Sequence, residues 1–336
     1  MVMHEHEMSI LQSTNGFMKL KSDSIGDPDI YFGARLKKVE LDNFVFCWSL
    51  SPSKHVQEAV RNVEKCVKTE FGERFELTEY APNLFPLIMA LTRVDIATEV
   101  STSSSYLAVP RKRHMQGAMH IMSYLRVKHN SRLAPDPSYP EVNMAEFHDE
   151  RDWTKFYGDV KEAIPYNAPK PREKGVDLRM CVASDHAGNK ANRRSRTGLM
   201  IFLNMSLISW LSKRQATVED AVFGSEFVAL KQGMKTLRGI RYKLRMMGVP
   251  IDGPSYVYGD NMSVVNNTSK PETTLKKKTN SICYHFVREA VAMQECLTTR
   301  IPTLKNWADL LTKVLSGRER RTLVQGVLYC IYDYDD

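Results

Sequence analysis

The stretch Arg179–Gly188, RMCVASDHAG, has the pattern of a buried strand that ends in an acidic residue and a glycine. A strand that carries a carboxylate to its own end is a frequent component of sites that cleave phosphate esters. Two positions compete for this role, Asp185 near the end of the stretch and Ala183 two residues earlier. If Ala183 is the position that faces the site, the first strand brings no acid to it.

Strand and helix patterns continue on the C-terminal side of this stretch. Three strand-like runs joined by short polar turns predict an antiparallel meander: VDLRMCVASD, TGLMIFLN and SLISWLSK. A long amphipathic helix follows, with apolar residues at helical spacing from Phe227 to Leu244, and it ends at Gly248. Beyond it, the patterns predict a strand, a helix, a strand and a last helix: SYVYGD, SICYHFVREAVAM, CLTTRIPT and NWADLLTKVL. This order predicts a mixed sheet with helices on its faces.

The composition is that of a globular protein with an anionic partner. The chain has 336 residues, of which 43% are hydrophobic and 26% charged, enough for two domains of ordinary size. A formal net charge of +8 favours an anionic partner, nucleic acid first, over a small-molecule substrate, and no run approaches 18 apolar residues, so no membrane span is expected. The six cysteines lack CxxC spacing, which argues against a zinc site and favours free thiols. Without an apolar signal segment, the expected location is intracellular, cytoplasmic or nuclear, and not secreted.

Three acids lie at positions where a sheet can bring them together. Glu226 is early in the long helix, Asp260 ends the fourth strand, and Asp309 lies in the first turn of the last helix. If they converge at one edge of the sheet, they would bind two Mg²⁺ ions roughly 3.5–4 Å apart, because Mg²⁺ takes oxygen ligands. Spacing alone leaves an alternative, in which all three are solvated element ends and Asp309 interacts with the helix dipole.

Residues 176–316 resemble the ribonuclease H domain that ends the polyprotein of copia-type LTR retrotransposons. The matching pieces occur in the order of the family and cover nearly the whole segment: SDHAGNKANRRSRTG, ISWLSKRQATVE, FGSEFVALK, RYKLRMMGVPIDGP, YGDNMSVV, LKKKTNSICYHFVREAV and NWADLLTK. The resemblance implies a ribonuclease H-like α/β fold, a mixed five-stranded sheet with flanking helices. It also implies Mg²⁺-dependent cleavage of RNA in an RNA–DNA hybrid, with Glu226, Asp260 and Asp309 as catalytic metal ligands.

The first strand departs from the family pattern Asp-x-Asp-x-Ala-Gly. Its leading position, which binds the bridging metal in the family, is Ala183, and Asp185 matches the second aspartate. The two positions lie about 6.6 Å apart along a strand. Metal ligation tolerates errors of only about 0.2 Å, so Asp185 is a catalytic candidate only if the strand end rearranges. The predicted site is therefore incomplete.

These observations predict a retrotransposon-derived ribonuclease H-like domain that is catalytically impaired and binds an RNA–DNA hybrid or other nucleic acid. One alternative is an active Mg²⁺-dependent ribonuclease H. Another is a decayed polyprotein fragment without function. Mg²⁺ is the expected cofactor if the site is functional.

The first part of the chain resembles the region that follows the reverse transcriptase palm. The matching pieces are SIGDPDIYFGARLKK, CWSLSPSKHVQEAVRNVEKC and RVDIATEVS. The polymerase Tyr-x-Asp-Asp hairpin is expected upstream of them, so reverse transcriptase activity is not expected here. The predicted organisation is a weakly ordered segment, a mostly helical partial reverse transcriptase segment similar to the thumb or connection, a linker, the ribonuclease H-like domain and a tail: 1–24, 25–130, 131–175, 176–316 and 317–336.

Two basic clusters are predicted to contact phosphates of a bound nucleic acid. Arg193, Arg194 and Arg196 follow the first strand closely, and Lys276, Lys277 and Lys278 precede a helix. Two further clusters, PRKRH at 110–114 and GRERR at 317–321, are explained equally well as solvated turns. His186 and His285 are predicted to be structural.

Overall fold

The structure is a computed structural model that describes residues 30–31, 34–41, 45–71, 93–106, 111–147, 151–172, 174–275 and 278–330. Its strands are β1 Ile30–Tyr31, β2 Ala34–Glu40, β3 Phe46–Ser51, β4 Ser131–Arg132, β5 Leu178–Asp185, β6 Arg196–Leu203, β7 Ser206–Arg214, β8 Ser255–Gly259, β9 Cys296–Arg300 and β10 Tyr329–Cys330. Its α-helices are α1 Ser53–Phe71, α2 Ala97–Ser104, α3 Lys112–Val127, α4 Thr154–Tyr157, α5 Val222–Met246, α6 Met262–Ser269, α7 Ser281–Ala292 and α8 Gly317–Gln325.

The chain divides into two compact units. The first comprises Met1–Arg93, Arg111–Asp136 and Tyr329–Asp336, and the second comprises Val94–Pro110 and Pro137–Leu328. In the first unit, β1, β2 and β3 form an antiparallel sheet, and β4 pairs with β10. The strands β2 and β3 pair along their length, and the residues that join them are only partly described.

The second unit contains a five-stranded sheet in the order β7-β6-β5-β8-β9. The strands β5, β6 and β7 pair with one another in antiparallel fashion, whereas β8 runs parallel to β5 and β9 runs parallel to β8. This mixed sheet with flanking helices confirms the fold class that the sequence predicted for 176–316. The central strand β5 has neighbours on both sides, so most of its residues are buried.

The long helix α5 covers one face of this sheet. Phe227, Leu230, Met234 and Leu237 are buried in the core beside Met180 of β5, as the helical spacing predicted. A Cβ atom on Gly233 would lie 2.7 Å from the Met180 sulfur, so glycine lets this side chain pack directly against the helix. The start of α5, which carries Glu226, is therefore fixed relative to β5.

Three local predictions for the second half of the chain were wrong or incomplete. The predicted last helix at 306–315 is a 3₁₀ helix, Trp307–Leu311, whose first turn contains Asp309. The helix α6 was not predicted, because MSVVNNTS is rich in β-branched residues and asparagine, which favour other conformations. Residues placed in the tail form α8, which begins with a capping box between Ser316 and Glu319.

Much of the segment predicted as a linker, 131–175, contributes side chains to the second unit. Trp153 is buried in its core, and Phe147 packs its ring against Tyr256 and Tyr258 of β8. The Glu162 carboxylate accepts hydrogen bonds from both Arg241 and Arg245 of α5. The predicted domain boundaries stay predictions, but these contacts show that the compact unit extends beyond 176–316. Within the described ranges, the helices are too short or too polar to cross a membrane.

Candidate active site

The site is framed by the ends of the two parallel strands β5 and β8. Val182 of β5 is in register with Gly259 of β8, so Ala183 and Asp260 follow at the same end of the sheet. On its other side Ala183 is paired with Gly198 of β6. Directly opposed residues in an antiparallel pair present their side chains to the same face, so the Ala183 methyl group faces the side on which a Gly198 side chain would project.

The 3₁₀ helix Trp307–Leu311 covers that face of the sheet. A Cβ atom on Gly198 would lie 2.7 Å from the Ala308 carbonyl oxygen and 2.6 Å from the Thr312 methyl carbon, so only glycine allows this approach. The fully buried Asn306 side chain fixes the helix, because it donates a hydrogen bond of 3.0 Å to the Val182 carbonyl and accepts one of 3.2 Å from the Ala308 N–H. The strand end and the helix together place Asp309 on the Ala183 side of the sheet.

Glu226 reaches the site from α5. Its side chain is buried, with the residue only 7% exposed, and its Oε1 atom accepts a hydrogen bond of 3.3 Å from the Ser184 N–H. Burial, followed by the negative charge of Asp260, raises the pKa of Glu226 to about 8, although the hydrogen bonds from Ser184 and the charge of Lys313 act in the opposite direction. At neutral pH the carboxyl group of Glu226 is mostly protonated.

Lys313 joins the three acids, and its part in the site was not predicted. Its Nζ atom lies 2.8 Å from Asp309 Oδ1 and 3.7 Å from Asp260 Oδ2. Burial lowers the pKa of Lys313, but the hydrogen bond to Asp309 and the charges of Asp309, Asp260 and Glu226 outweigh it and raise the pKa. We call Glu226, Asp260, Asp309 and Lys313 the acid cluster. The i,i+4 spacing of Asp309 and Lys313 was the one signal in the sequence that pointed to this pair.

Asp185 has a different environment from the acid cluster. Its carboxylate accepts a hydrogen bond from the Arg196 N–H at the start of β6, and a Cβ atom on Gly188 would overlap its Oδ2 atom at 1.8 Å. Burial raises the pKa of Asp185, and the hydrogen bond and charge of Arg196 offset part of this effect. These contacts show a carboxylate engaged in the turn between β5 and β6. Its predicted catalytic role remains untested.

The residues chosen as nucleic-acid contacts differ in exposure. Arg193 is exposed and Arg194 is half-buried in a turn ordered by Asn189, whose side chain accepts hydrogen bonds from two backbone N–H groups of the turn. Arg196 is only 8% exposed, and its guanidinium group donates to the hydroxyl groups of Ser101, Thr102 and Ser212.

The second predicted cluster is only partly described. Lys278 is exposed at the start of a 3₁₀ helix, whereas Lys276 and Lys277 lie outside the described residues. His186 and His285 are also exposed, and His285 Nδ1 lies 2.9 Å from the Tyr157 hydroxyl oxygen.

The donor groups in the described residues do not fit a divalent metal ion. Among them there is no group of three histidine, cysteine, aspartate or glutamate side chains placed to bind one. Ala183 supplies no oxygen atom, and the Lys313 ammonium group lies between the carboxylates of Asp260 and Asp309. Asp260 and Asp309 thus meet at an ammonium group, and Glu226 is hydrogen-bonded to the Ser184 N–H instead.

The second unit is an α/β structure with a five-stranded mixed sheet and flanking helices, and the acid cluster lies at one end of its parallel strands. No family model matches the chain. The chain is similar to retrovirus-related Pol polyproteins of plant transposons: TNT 1-94 of Nicotiana tabacum, with 26% identity over 68% of the chain, and RE1 and RE2 of Arabidopsis thaliana, with 25% identity over 68% and 26% over 73%. The predicted resemblance to a retrotransposon polyprotein is confirmed. The chain spans only 14%, 13% and 17% of the lengths of these relatives.

Solved structures similar to this chain are ribonuclease H domains. The N-terminal RNase H domain of rv2228c from Mycobacterium tuberculosis, solved as a fusion with maltose binding protein, has a TM-score of 0.33 and 14% identity, covering 45% of this chain and 98% of that one. LC11-RNase H1 in complex with an RNA/DNA hybrid has a TM-score of 0.32 and 16% identity, covering 39% of this chain and 88% of that one.

Proposed function

We propose that the second unit is a ribonuclease H-like domain that binds an RNA–DNA hybrid, or other nucleic acid, and is impaired in metal-dependent cleavage. The observation that carries this proposal is the composition of the acid cluster. Ala183 stands where the resemblance requires a bridging carboxylate, and the ammonium group of Lys313 lies between two of the remaining acids. A site with fewer carboxylates and an internal cation has less affinity for Mg²⁺, and cleavage of this class depends on that ion.

The basic turn between β5 and β6 supports the binding half of the proposal. This turn follows the end of β5 at which Ala183 and Asp260 lie, so Arg193 and Arg194 flank the acid cluster. Backbone hydrogen bonds between Asn189 and Arg193, and between Asn189 and Arg194, hold the turn in a defined conformation. An exposed guanidinium group, Arg193, and a half-buried one, Arg194, on an ordered turn are suited to contact phosphates.

Lys278 supplies a second basic position near the same end of α5. Its neighbour Asn280 donates a hydrogen bond of 3.0 Å to Glu219, which precedes the helix that carries Glu226. Arg196 is not part of the proposed interface, because its guanidinium group is engaged inside the fold.

The binding experiment measures the affinity of the full chain for a labelled RNA–DNA hybrid over a range of salt concentrations. The affinity should fall steeply with salt, and Arg193→Ala with Arg194→Ala should reduce the slope of log K against log salt by about 1 per lost contact. The matched control is Lys161→Ala with Lys170→Ala. These lysines lie near the far end of α5: Lys161 adjoins Glu162, which binds Arg241, and the Lys170 carbonyl lies beside Gly248.

Because the control removes the same two charges, it separates local contact from net charge. Equal losses in the two double variants would place the phosphate contacts elsewhere. Affinity that does not depend on salt, or no binding at low salt, would remove nucleic acid as the partner. A decayed fragment without function is then the remaining interpretation.

The cleavage experiment uses the same hybrid with Mg²⁺. The parent protein should leave the RNA strand intact, because its acid cluster lacks the bridging carboxylate. Cleavage by the parent that disappears in Asp185→Asn would instead establish the active ribonuclease H alternative, with Asp185 as the functional acid. Asp152→Asn is a matched control, because Asp152 is an exposed acid that accepts hydrogen bonds from Thr154 within its own turn.

A further inference from the structure

Lys313 is held at the acid cluster by its own backbone as well as by its charge. The Lys313 N–H donates a hydrogen bond of 3.0 Å to the Asp309 carbonyl oxygen, and the Thr312 N–H donates to the same oxygen at 3.2 Å. This turn directly follows the 3₁₀ helix that Asn306 fixes against β5. The ammonium group therefore lies beside Asp309 because of the local fold, and its contact with Asp260 follows from the position of β8.

The acids that Lys313 contacts have little access to water. The side chains of Asp309 and Asp260 are 4% and 14% exposed, whereas that of Lys313 is 35% exposed. An exposed ion pair contributes little to stability, but acids removed from water need a cation close by. One ammonium group thus contacts carboxylates from two separate elements, the end of β8 and the 3₁₀ helix.

We propose that Lys313 is the resident cation of the acid cluster: its ammonium group holds Asp260 and Asp309 together in place of a divalent metal ion. The domain thereby keeps its acids close to one another without Mg²⁺, and Mg²⁺ binds only if the ammonium group is displaced. Ala183 is consistent with this arrangement, because a further carboxylate would add negative charge that the one ammonium group does not balance. The inference builds on the proposed function, since both take the metal site to be incomplete.

The test compares the full-length parent with Lys313→Met, which removes the charge and keeps an unbranched side chain of similar length. Thermal unfolding is followed in EDTA, in millimolar Mg²⁺, and in NaCl of equal ionic strength. In EDTA the variant should unfold at a temperature lower by about 4 °C or more, because its acids repel one another. Mg²⁺ should reverse this loss and NaCl should not, because a ligand that binds only the folded form stabilises it. The parent should respond equally to both salts.

Two variants complete the design. Lys305→Met removes an exposed lysine from the preceding 3₁₀ helix, Thr303–Lys305, and should behave as the parent does. Lys313→Met combined with Asp260→Asn removes one acid together with the cation, so it should be more stable in EDTA than Lys313→Met alone. If Lys313→Met does not fold in EDTA, the double variant provides the measurement.

Four results would overturn the inference. The first is an unchanged unfolding temperature for Lys313→Met in EDTA, and the second is an equal rise of its unfolding temperature in NaCl and in Mg²⁺. The third is a parent whose unfolding temperature rises in Mg²⁺ as much as that of Lys313→Met. The fourth is a double variant whose unfolding temperature in EDTA is no higher than that of Lys313→Met. Isothermal titration with Mg²⁺ alone gives a second readout, in which Lys313→Met should release or absorb heat in a saturable manner and the parent should not. None of these readouts uses nucleic acid, so failure of the proposed binding function would be seen separately.

Discussion

Two of the places where buried acids meet cations in the described residues are built in opposite ways. In the first, which we call the arginine clamp, one carboxylate from Glu162 lies between two guanidinium groups, those of Arg241 and Arg245. In the second, the acid cluster, the ammonium group of Lys313 lies between the carboxylates of Asp260 and Asp309, and the charge of Asp260 also acts on the buried Glu226. The clamp has an excess of positive charge around its one acid, and the cluster has an excess of acid.

The pKa values of the two glutamates reflect this difference. Burial raises the pKa of Glu162, but hydrogen bonds and charges from the two arginines outweigh it and lower the pKa to about 2. Burial and the charge of Asp260 raise the pKa of Glu226 to about 8. A satisfied acid with a low pKa is typical of a structural ion pair, whereas a group of acids without enough cations is typical of a functional site. We therefore expect the clamp to stabilise the fold and the excess of acid in the cluster to lower its stability.

The largest expected effect comes from breaking the arginine clamp with Glu162→Gln. This change leaves the guanidinium group of Arg241, which is only 3% exposed, without its charge partner. Loss of one member of a buried ion pair costs about 3–5 kcal/mol, so the free energy of unfolding in urea should fall by that amount. Asp159→Asn is the control, because its contact with Lys161 is exposed on both sides and should contribute very little. Equal effects of the two changes would show that the clamp is not structural.

A smaller effect, of the opposite sign, is expected for Glu226→Gln in the acid cluster. The pKa of Glu226 is about 8 in the folded state, against an ordinary value of 4.5, so the folded protein holds a proton that the unfolded chain releases. Stability from this group is fully present below about pH 4.5 and is lost as the pH rises towards 8. Glutamine imitates the protonated form, so the variant should match the parent at low pH and exceed it above pH 8, by on the order of 3 kcal/mol.

The prediction is checked by measuring the free energy of unfolding in urea for the parent and for Glu226→Gln over this pH range. The quantity of interest is the difference between the two values at each pH. Glu162→Gln is the reference variant, and its effect on stability should change with pH in the opposite direction, because the pKa of Glu162 is lowered from 4.5 to about 2. Its stabilisation is present above about pH 4.5 and is lost as the pH falls towards 2. A difference between Glu226→Gln and the parent that did not change with pH would contradict the assigned burial and charge around Glu226.

The smallest expected effect on stability comes from Ala183→Asp, which adds one more acid to the acid cluster and so increases its excess of negative charge. The new carboxylate lies on the face covered by the 3₁₀ helix, so repulsion should lower the free energy of unfolding by about 1–2 kcal/mol without metal. Mg²⁺ should restore this loss. The combination with Lys313→Met should respond to Mg²⁺ more strongly than Ala183→Asp alone, and it should cleave the RNA of a hybrid.

Asp185→Asn in the Ala183→Asp background is the control for this prediction. The carboxylate of Asp185 is engaged with the Arg196 N–H in the turn, so its loss should leave the Mg²⁺ response unchanged. If the Ala183→Asp variant folds and Mg²⁺ does not stabilise it, the departure from a metal site extends beyond one residue. The unfolding temperature in EDTA and in Mg²⁺ distinguishes these results.

Local patterns in the sequence were sufficient to predict most elements of the second unit. The spacing of Phe227, Leu230, Met234 and Leu237 predicted the long helix, because helical periodicity is a property of neighbouring residues. The missing acid at Ala183 was also visible in the sequence. The helix α6 was not, because Asn261 caps it and Val264 and Thr268 are buried in it, and this packing outweighs the low helix propensity of the segment.

The contribution of 137–172 to the second unit depends on distant contacts. Proline and charge without periodicity indicated a linker, but Trp153 packs against the Arg288 guanidinium group, and Glu162 binds α5. Neither partner lies near these residues in the sequence. Likewise, Arg196 belongs to a basic run that suggested phosphate contacts, yet its guanidinium group is enclosed by hydroxyl groups from α2 and β7.

Residue type and local spacing were enough to predict the fold class, the three candidate acids and the absence of a carboxylate at position 183. Which cation each acid meets could be read only from the folded chain. Asp309 and Lys313 are close in the sequence, but the contact of Lys313 with Asp260 exists because β8 ends beside the 3₁₀ helix. Electrostatic interactions depend on distance and burial, and both are set by the packing of elements far apart in the chain.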